Sequence, residues 1–570
     1  MKTNILKLTS IFLCLSIFFA LPSFAVAANG MDRSLIAESK ETETPSEVAD
    51  GIADDYEFKF VGETVATSSK AIVVIPGVGG TVLRNSSGQT CWLWLSTARL
   101  NQLACSTTGA SNNTITAGTG DYGVFDLYEP LCSMLENYYG DEYDVLFFPY
   151  DWRLSNTNAA ASLAISINNS YDEVILVAHS MGGLVASKYL ANSSVNRNKV
   201  DKLVTLGTPY TGTPHLIYVA ETGDFNSFLS VLGYESTIKD LVQNFHCTYQ
   251  LAPTVRYQDN YGAYIRAGTT YYSGAAARTF YSGRPWATVN GSTKTMYSSA
   301  TAFHSGLIVS GTHIANSSLV DTYKIVGTGE DTASIIIYTS NGAYSDVEVN
   351  NSGDGTVPRY SASNTQSIST ANKIYTVSDD HMGLINNSTV FSRIRTIIGE
   401  SRGSSTTYNS EDENVAVNEK GWLIGENNRR TYITLNASYD INISDETGNN
   451  LIIDSSGVYN KDGDKLGSVW LLSNNRVKYI MKDGEYNVQI NGNANKEISF
   501  VVEYQNDGYY EHSETYSDIL EPCININIST SDMQSISVIA ADDTSAAKSL
   551  HKTILPTHTM TPEELAERNS

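Results

Sequence analysis

Between residues 70 and 400, short unbroken apolar runs alternate with stretches whose apolar positions recur at helical spacing. Ala71–Ile75, Tyr143–Phe148, Val174–Ala178, Lys202–Leu206, Tyr323–Val326 and Lys373–Val377 form the runs. Such runs predict strands covered on both faces, as in a parallel sheet. Helical patterns at Leu127–Tyr138, Asn156–Ile167, after Ser180 (Leu184, Val185, Lys188, Tyr189) and at Thr389–Ile398 lie between or after them. That order predicts an α/β fold with helices on both sides of a mostly parallel sheet.

The rhythm is interrupted twice. Residues 91–120 are rich in Trp, Ser, Thr and Asn, and read as a mobile flap on which Trp92 and Trp94, exposed by pattern, are candidate substrate contacts. About residues 210–320, Tyr and small polar residues dominate, predicting a cap over the carboxyl ends of the strands, where ligands bind in such sheets. Ser334–Tyr338 and Ser345–Val349 predict a hairpin before the last strand. Past Gly399 a Ser/Thr-rich linker, 401–420, leads to short alternating segments at Thr431–Leu435, Val469–Leu472, Tyr486–Ile490 and Ile498–Val502, separated by Asn-Gly, Asp-Gly and Asn-Asn turns. These predict an antiparallel β-sandwich over 421–545, then a patternless tail, 546–570. Every strand of the parallel sheet precedes residue 400, so the first domain, 69–400, is expected to fold without the C-terminal β-sandwich.

Chemistry concentrates where one strand meets its helix. Ala178-His179-Ser180-Met181-Gly182 is a G-x-S-x-G elbow with Ala in the first position, flanked by the strand and helix the motif requires. Such a turn lifts one hydroxyl to the top of the sheet, making Ser180 the candidate nucleophile. The helix start behind it offers N–H groups to an oxyanion, and Gly77-Val78-Gly79-Gly80, after the first strand, offers a second donor. A serine needs a base, and the base needs an acid to orient it. His381 follows the last strand, whereas the other histidines lie in the elbow, the cap or beyond the domain. Asp354, in the turn Gly353-Asp354-Gly355, is favoured as acid over Asp379 and Asp380, which share the loop of His381.

Composition narrows the setting. Lys2 and Lys7 precede an apolar run ending at Ala25-Val26-Ala27, a secretory leader over 1–27, so the mature chain is expected to be secreted. Residues 28–68 read as a linker or disordered arm. The formal net charge of −24 argues against a nucleic-acid partner. Beyond Cys14 in the leader, an odd set of cysteines remains, so at least one stays unpaired within the chain; Cys91 and Cys105 bracket a short polar segment and are the expected pair. Asn460-Lys461-Asp462-Gly463-Asp464 has oxygens at calcium-loop spacing but no later bidentate glutamate, so a hairpin turn is favoured and no metal is assigned. The chemistry requires no cofactor. Nothing in the pattern fixes an oligomeric state.

Pro149-Tyr150-Asp151-Trp152-Arg153, the Ser180 elbow, Gly207-Thr208-Pro209, Gly353-Asp354-Gly355-Thr356-Val357 and His381 with Leu384 together resemble the lecithin:cholesterol acyltransferase family, which includes phospholipases A and bacterial lipases. The resemblance spans about residues 70–400. It implies an α/β-hydrolase fold, a Ser180–Asp354–His381 triad, oxyanion donors from the Val78 and Met181 backbones, and a disulfide-pinned lid that Cys91 and Cys105 would reproduce. The implied substrate is a lipid or other acyl ester, with a lipid surface as a possible partner. Val78 departs from the polar residue usual there, and the cap follows no family pattern. The leading reading is an acyl-ester hydrolase; the alternatives are an acyltransferase using a sterol or other alcohol, and a surface-binding module with an inactive hydrolase domain.

Overall fold

The protein is described here by a computed structural model covering residues 68–569, except 94–95, 119–121, 226–233, 258–261, 366–372, 400–417, 419–421, 424–426, 455–456, 473–475, 492–496, 522, 530–535 and 541–552. The leader, the arm up to residue 67, Trp94 and nearly all of the 401–420 linker lie outside the described residues.

Six strands build the central sheet: β1 (Lys70–Ile75), β2 (Asp144–Phe147), β3 (Glu173–His179), β4 (Val200–Leu206), β5 (Asp321–Thr328) and, after a hairpin of β6 (Glu330–Tyr338) and β7 (Tyr344–Gly353), β8 (Ile374–Ser378). Their order is β8-β5-β4-β3-β1-β2, and every pairing is parallel. Alternate residues face opposite layers, which is why the runs are apolar throughout. Val73, Ile75, Leu176, Ala178 and Leu203 pack against helices α2 (Asn156–Asn168) and α3 (Gly182–Asn192) through Leu163, Leu184 and Val185. Ile72, Val74, Ile175, Val177 and Val204 pack on the other side against α1 (Glu129–Tyr139) and α4 (Ser388–Gly399) through Leu131, Leu135, Ile394 and Ile397. Each such Val, Leu or Ile side chain stabilises the fold by about 1.5–3 kcal/mol. This is the α/β-hydrolase architecture.

The chain leaves the sheet after β4 and returns at β5. In between run the helices His215–Thr222, Glu235–Val242, His246–Leu251, Gly274–Ser282 and Thr295–Ser305, with short strands. Two of these strands, Ile265–Ala267 and Thr270–Tyr272, extend the β6–β7 hairpin into a separate four-stranded sheet.

C-terminal strands form an eight-stranded and a five-stranded antiparallel sheet, a β-sandwich. Ile433, Leu435 and Met481 point into its interior. Their neighbours Tyr432, Trp470, Leu472 and Ile480 join the core of the first domain instead, so the strand Arg430–Asn436 is buried on both faces. Ion pairs Lys465–Glu330 and Lys478–Asp346, both 2.9 Å, tie the larger sheet to the β6–β7 hairpin. The tail is not patternless. Thr553–Ile554 pairs with the strand Ile536–Ala540 of one sheet, His558–Thr559 with the strand Tyr509–Ile519 of the other, and Arg568 in the final helix contacts Glu503 at 2.6 Å. Asn460 closes a hairpin turn, its Oδ1 accepting from the Asp462 and Asp464 N–H groups.

Candidate active site

Strand β3 ends at His179 and α3 begins at Gly182, leaving Ser180 in the turn with φ +53°, a left-handed conformation that costs a non-glycine residue about 1–2 kcal/mol. The Ser180 N–H donates to Leu206 O (2.8 Å), tying the turn to the end of β4. A Cβ on Gly182 would collide with the Ile75 and Pro76 carbonyls, and one on Gly183 with Thr208. The small residues of the elbow are therefore required by the packing of the turn against β1 and the loop after β4.

His381 and Asp354 converge on this hydroxyl. Ser180 Oγ lies 2.8 Å from His381 Nε2, and His381 Nδ1 lies 2.8 Å from Asp354 Oδ2. The other carboxylate oxygen, Oδ1, accepts from Val357 N (2.7 Å) and Thr356 N (3.1 Å), and the His381 N–H donates to Asp354 O (2.8 Å). Asp354 is 1% exposed, so its charge is directed at the imidazole with little solvent screening. Gly207, at φ +58°, lets the two approach: a Cβ there would lie 2.8 Å from Asp354 Oδ2 and 3.1 Å from His381 Nδ1. Asp379 and Asp380 are occupied elsewhere, Asp379 Oδ2 with Asn387 Nδ2 (2.6 Å) and Asp380 Oδ1 with Gly383 N (2.7 Å).

Val78 lies in the turn closed by Gly80 N to Gly77 O (3.1 Å), and Met181 follows Ser180 at the start of α3. Neither backbone N–H has a hydrogen-bond partner among the described residues. A Cβ on Gly77 would stand 2.7 Å from Ser180 Cβ, so the loop passes directly over the elbow. Four aromatic side chains hold it. Tyr150 Oη donates to Pro76 O (2.8 Å), Trp92 Nε1 to Gly79 O (2.7 Å) and Trp152 Nε1 to Thr81 O (3.2 Å), while Tyr128 Oη accepts from Gly77 N (2.9 Å). Trp92 is buried, not exposed, and its ring packs edge-on against Trp152 and Phe225.

Sequence reasoning missed one link. The Tyr128 hydroxyl, having accepted from Gly77, donates to His179 Nδ1 (2.8 Å), and His179 Nε2–H donates to His381 O (3.0 Å). Burial, reinforced by nearby His381, holds the His179 imidazole well below its usual pKa, consistent with this neutral tautomer. The oxyanion-side loop and the backbone of the histidine are thus joined by one buried relay. The available signal was His179 itself, a polar residue where the apolar strand ends. His215 is also neutral: burial first, then His381, pushes it down to about 4.

The expected Cys91–Cys105 disulfide is absent. Both thiols are free: Cys91 Sγ faces Gln89 O and Gln102 Oε1, and Cys105 Sγ faces Leu103 O and the guanidinium of Arg153. Burial pushes the Cys105 thiol up to about 11. Arg153, fully buried and paired with Asp151 at 2.6 Å, pins the segment instead by donating to Leu103 O and Ser111 Oγ. The segment is packed, not a loose flap: the strands Thr90–Trp92 and Ile115–Ala117 flank Leu83–Asn85 in a three-stranded sheet, and Leu100 and Leu103 lie in the core.

Residues 119–282 match the lecithin:cholesterol acyltransferase family model. That segment holds Pro149–Arg153, the elbow and Gly207–Pro209, bearing out the resemblance drawn from the motifs. The match supports a lipid acyl-ester hydrolase or acyltransferase. A search of curated proteins returns no match. Among solved structures, the chain is similar to one in the Tle4–Tli4 complex (14% identity, 58% of this chain and 98% of that one, TM-score 0.40). It is also similar to the Bacillus licheniformis lipase BlEst2 in its propeptide form (13% identity, 83% and 95%, TM-score 0.30) and to phospholipase PlaB from Legionella pneumophila (10%, 80% and 91%, TM-score 0.18).

Proposed function

We propose that this chain is an exported serine hydrolase that cleaves acyl esters of lipids, of lipase or phospholipase A type, through an acyl-enzyme on Ser180. The observation that carries the reading is the unbroken hydrogen-bond chain from Ser180 Oγ through His381 to Asp354. His381 Nε2 takes the hydroxyl proton as Oγ bonds to the ester carbon, and Asp354 stabilises the resulting imidazolium. Negative charge on the former carbonyl oxygen is met by the N–H groups of Val78 and Met181. The imidazolium then protonates the departing alcohol as the C–O bond breaks, leaving the acyl group on Ser180. Water, deprotonated by His381, attacks that ester and releases the fatty acid, and the proton returns to Ser180. Lys2, Lys7 and Ala25-Val26-Ala27 support export.

The test compares the mature protein with its Ser180→Ala variant on a labelled phospholipid, a triacylglycerol and a short p-nitrophenyl ester, with and without dispersed sterol. Fatty acid is the expected product, and the variant should lose about 10³-fold or more of the rate. Residual activity above roughly a tenth of wild type refutes the serine assignment. Sterol ester forming faster than fatty acid favours the acyltransferase.

A further inference from the structure

Away from Ser180, the cap holds a cavity of about 180 Å³ whose lining includes Arg256, Arg278, His304 and His313 and none of the Ser180, His381 and Asp354 side chains. Among its described lining residues there is no aspartate or glutamate, although the whole chain carries 61 acidic residues against 37 Lys and Arg. Lys324 adds a further cation just behind the wall. Its Nζ lies 5.7 Å from the ring centre of Tyr210, a lining residue, and donates to Asn316 Oδ1 at 2.6 Å. Burial, and then Arg256, push this ammonium down to about 7. His313 is held well below its usual value by burial, with Arg256, His304 and Lys324 adding to the effect. Positive groups here press on one another, and an anion would relieve them.

Hydrogen bonding gives a second, independent sign. His313 is 4% exposed and its Nδ1 accepts from Ala315 N (3.2 Å), which assigns the ring proton to Nε2. Among the described residues that Nε2 has no partner, and neither has Arg278 Nε nor Thr254 Oγ1 on the same lining. A buried donor left unpaired costs about 1–3 kcal/mol, so three such atoms on residues around one cavity call for a shared acceptor. The guanidinium of Arg278 is already fixed, stacked over Tyr297 and donating to Thr301 Oγ1 at 2.8 Å. Arg278 presents a planar donor fork of the kind that holds oxyanions, and Arg256 adds a second guanidinium charge to the lining.

We propose that this cap cavity binds a small oxyanion, phosphate or carboxylate, gripped by Arg278 with His313 and Thr254 as neutral donors and Arg256 as a further positive charge on the lining. The site is separate from the serine chemistry and does not rest on it.

The experiment titrates inorganic phosphate, acetate and a short-chain phosphatidate into the mature protein at constant ionic strength, with chloride as the reference, following heat of binding and Tm. At least one probe should bind with one-to-one stoichiometry and raise Tm above the chloride control, since a ligand of the folded state alone stabilises it by mass action. Phosphate or acetate binding assigns a free anion, and binding of the phosphatidate alone assigns a lipid head group. Arg278→Gln should weaken that binding about tenfold or more, Thr254→Val should weaken it without altering charge or shape, and Ser180→Ala should leave it unchanged. Failure of all three probes to raise Tm above chloride overturns the proposal, as does binding unaltered in both Arg278→Gln and Arg256→Gln. Loss of binding in Ser180→Ala overturns the separateness of the site.

Discussion

Replacing Tyr128 by Phe removes a single oxygen from a residue that is 1% exposed. That oxygen accepts from Gly77 N at 2.9 Å and donates to His179 Nδ1 at 2.8 Å, and His179 Nε2 in turn reaches His381 O at 3.0 Å. The rings of Phe147 and His179 pack 5.4 and 5.8 Å from that of Tyr128. Two buried groups are then left without partners, at about 1–3 kcal/mol each, so the variant should be less stable by about 2–6 kcal/mol. Part of that penalty appears in catalysis, because the Gly77 loop carries Val78 and the His381 backbone carries the base. A loosened donor or base that forfeits about 1.4–2.7 kcal/mol of transition-state stabilisation slows turnover about 10- to 100-fold. The assay measures kcat and KM on a soluble p-nitrophenyl ester beside thermal unfolding. A fall in kcat with KM changed less than about threefold marks an interaction made in the transition state. A lowered Tm with kcat within about twofold of wild type would show that the hydroxyl only supports the fold, and the positioning role would be refuted.

Gly207→Ala should silence the enzyme while leaving it folded: the new methyl would press between Asp354 Oδ2 and His381 Nδ1, and the left-handed backbone adds about 1–2 kcal/mol of strain; unchanged kcat refutes the geometry. Stability should fall steeply in acid. His179, His215, His304 and His313 all have folded pKa values depressed by burial, the second and third to about 4, so below the unfolded value near 6.5 the unfolded chain binds more protons than the folded one. Stability is therefore full above that value and declines by up to about 1.4 kcal/mol per histidine per pH unit as pH falls toward 4, which chemical denaturation at stepped pH would measure; a flat profile between pH 6.5 and 4.5 contradicts it. Deleting residues 405–570 should give insoluble or inactive protein, because Tyr432, Trp470, Leu472 and Ile480 leave the shared core at about 2 kcal/mol each, together comparable with a whole domain's stability. A soluble truncation with wild-type kcat refutes that.

The sheet is legible in the sequence because its strands are covered on both faces, which forces unbroken apolar runs: the run Val174–Ala178 lies within β3, and Lys202–Leu206 within β4. The serine, histidine and aspartate are legible because the elbow and the loops after late strands are local in sequence. Long-range contacts are not. Tyr128 reaches Gly77 and His179 across 51 residues each, and nothing in the sequence distinguishes this residue, just before α1, from the other aromatic residues around it. Trp92 lies in a polar stretch that predicts exposure, yet its partners Gly79, Trp152 and Phe225 come from three other segments and bury it. Cysteine spacing suggests a disulfide, but the buried Arg153, drawn from the motif after β2, does the pinning. The change in composition after Gly399 marks a new fold correctly but says nothing of packing: Trp470, with Tyr218 and His215 beside it, meets the first domain through the alternate face of a strand whose other face fills the sandwich.

The central claim is that Ser180 is activated by His381 and Asp354, and intact-mass spectrometry after a fluorophosphonate challenge tests it most directly. One adduct per chain is expected, mapped by peptide sequencing to Ser180 and lost in Ser180→Ala, His381→Ala and reagent-quenched controls. An unmodified wild-type protein, or an adduct that persists in Ser180→Ala, would contradict it.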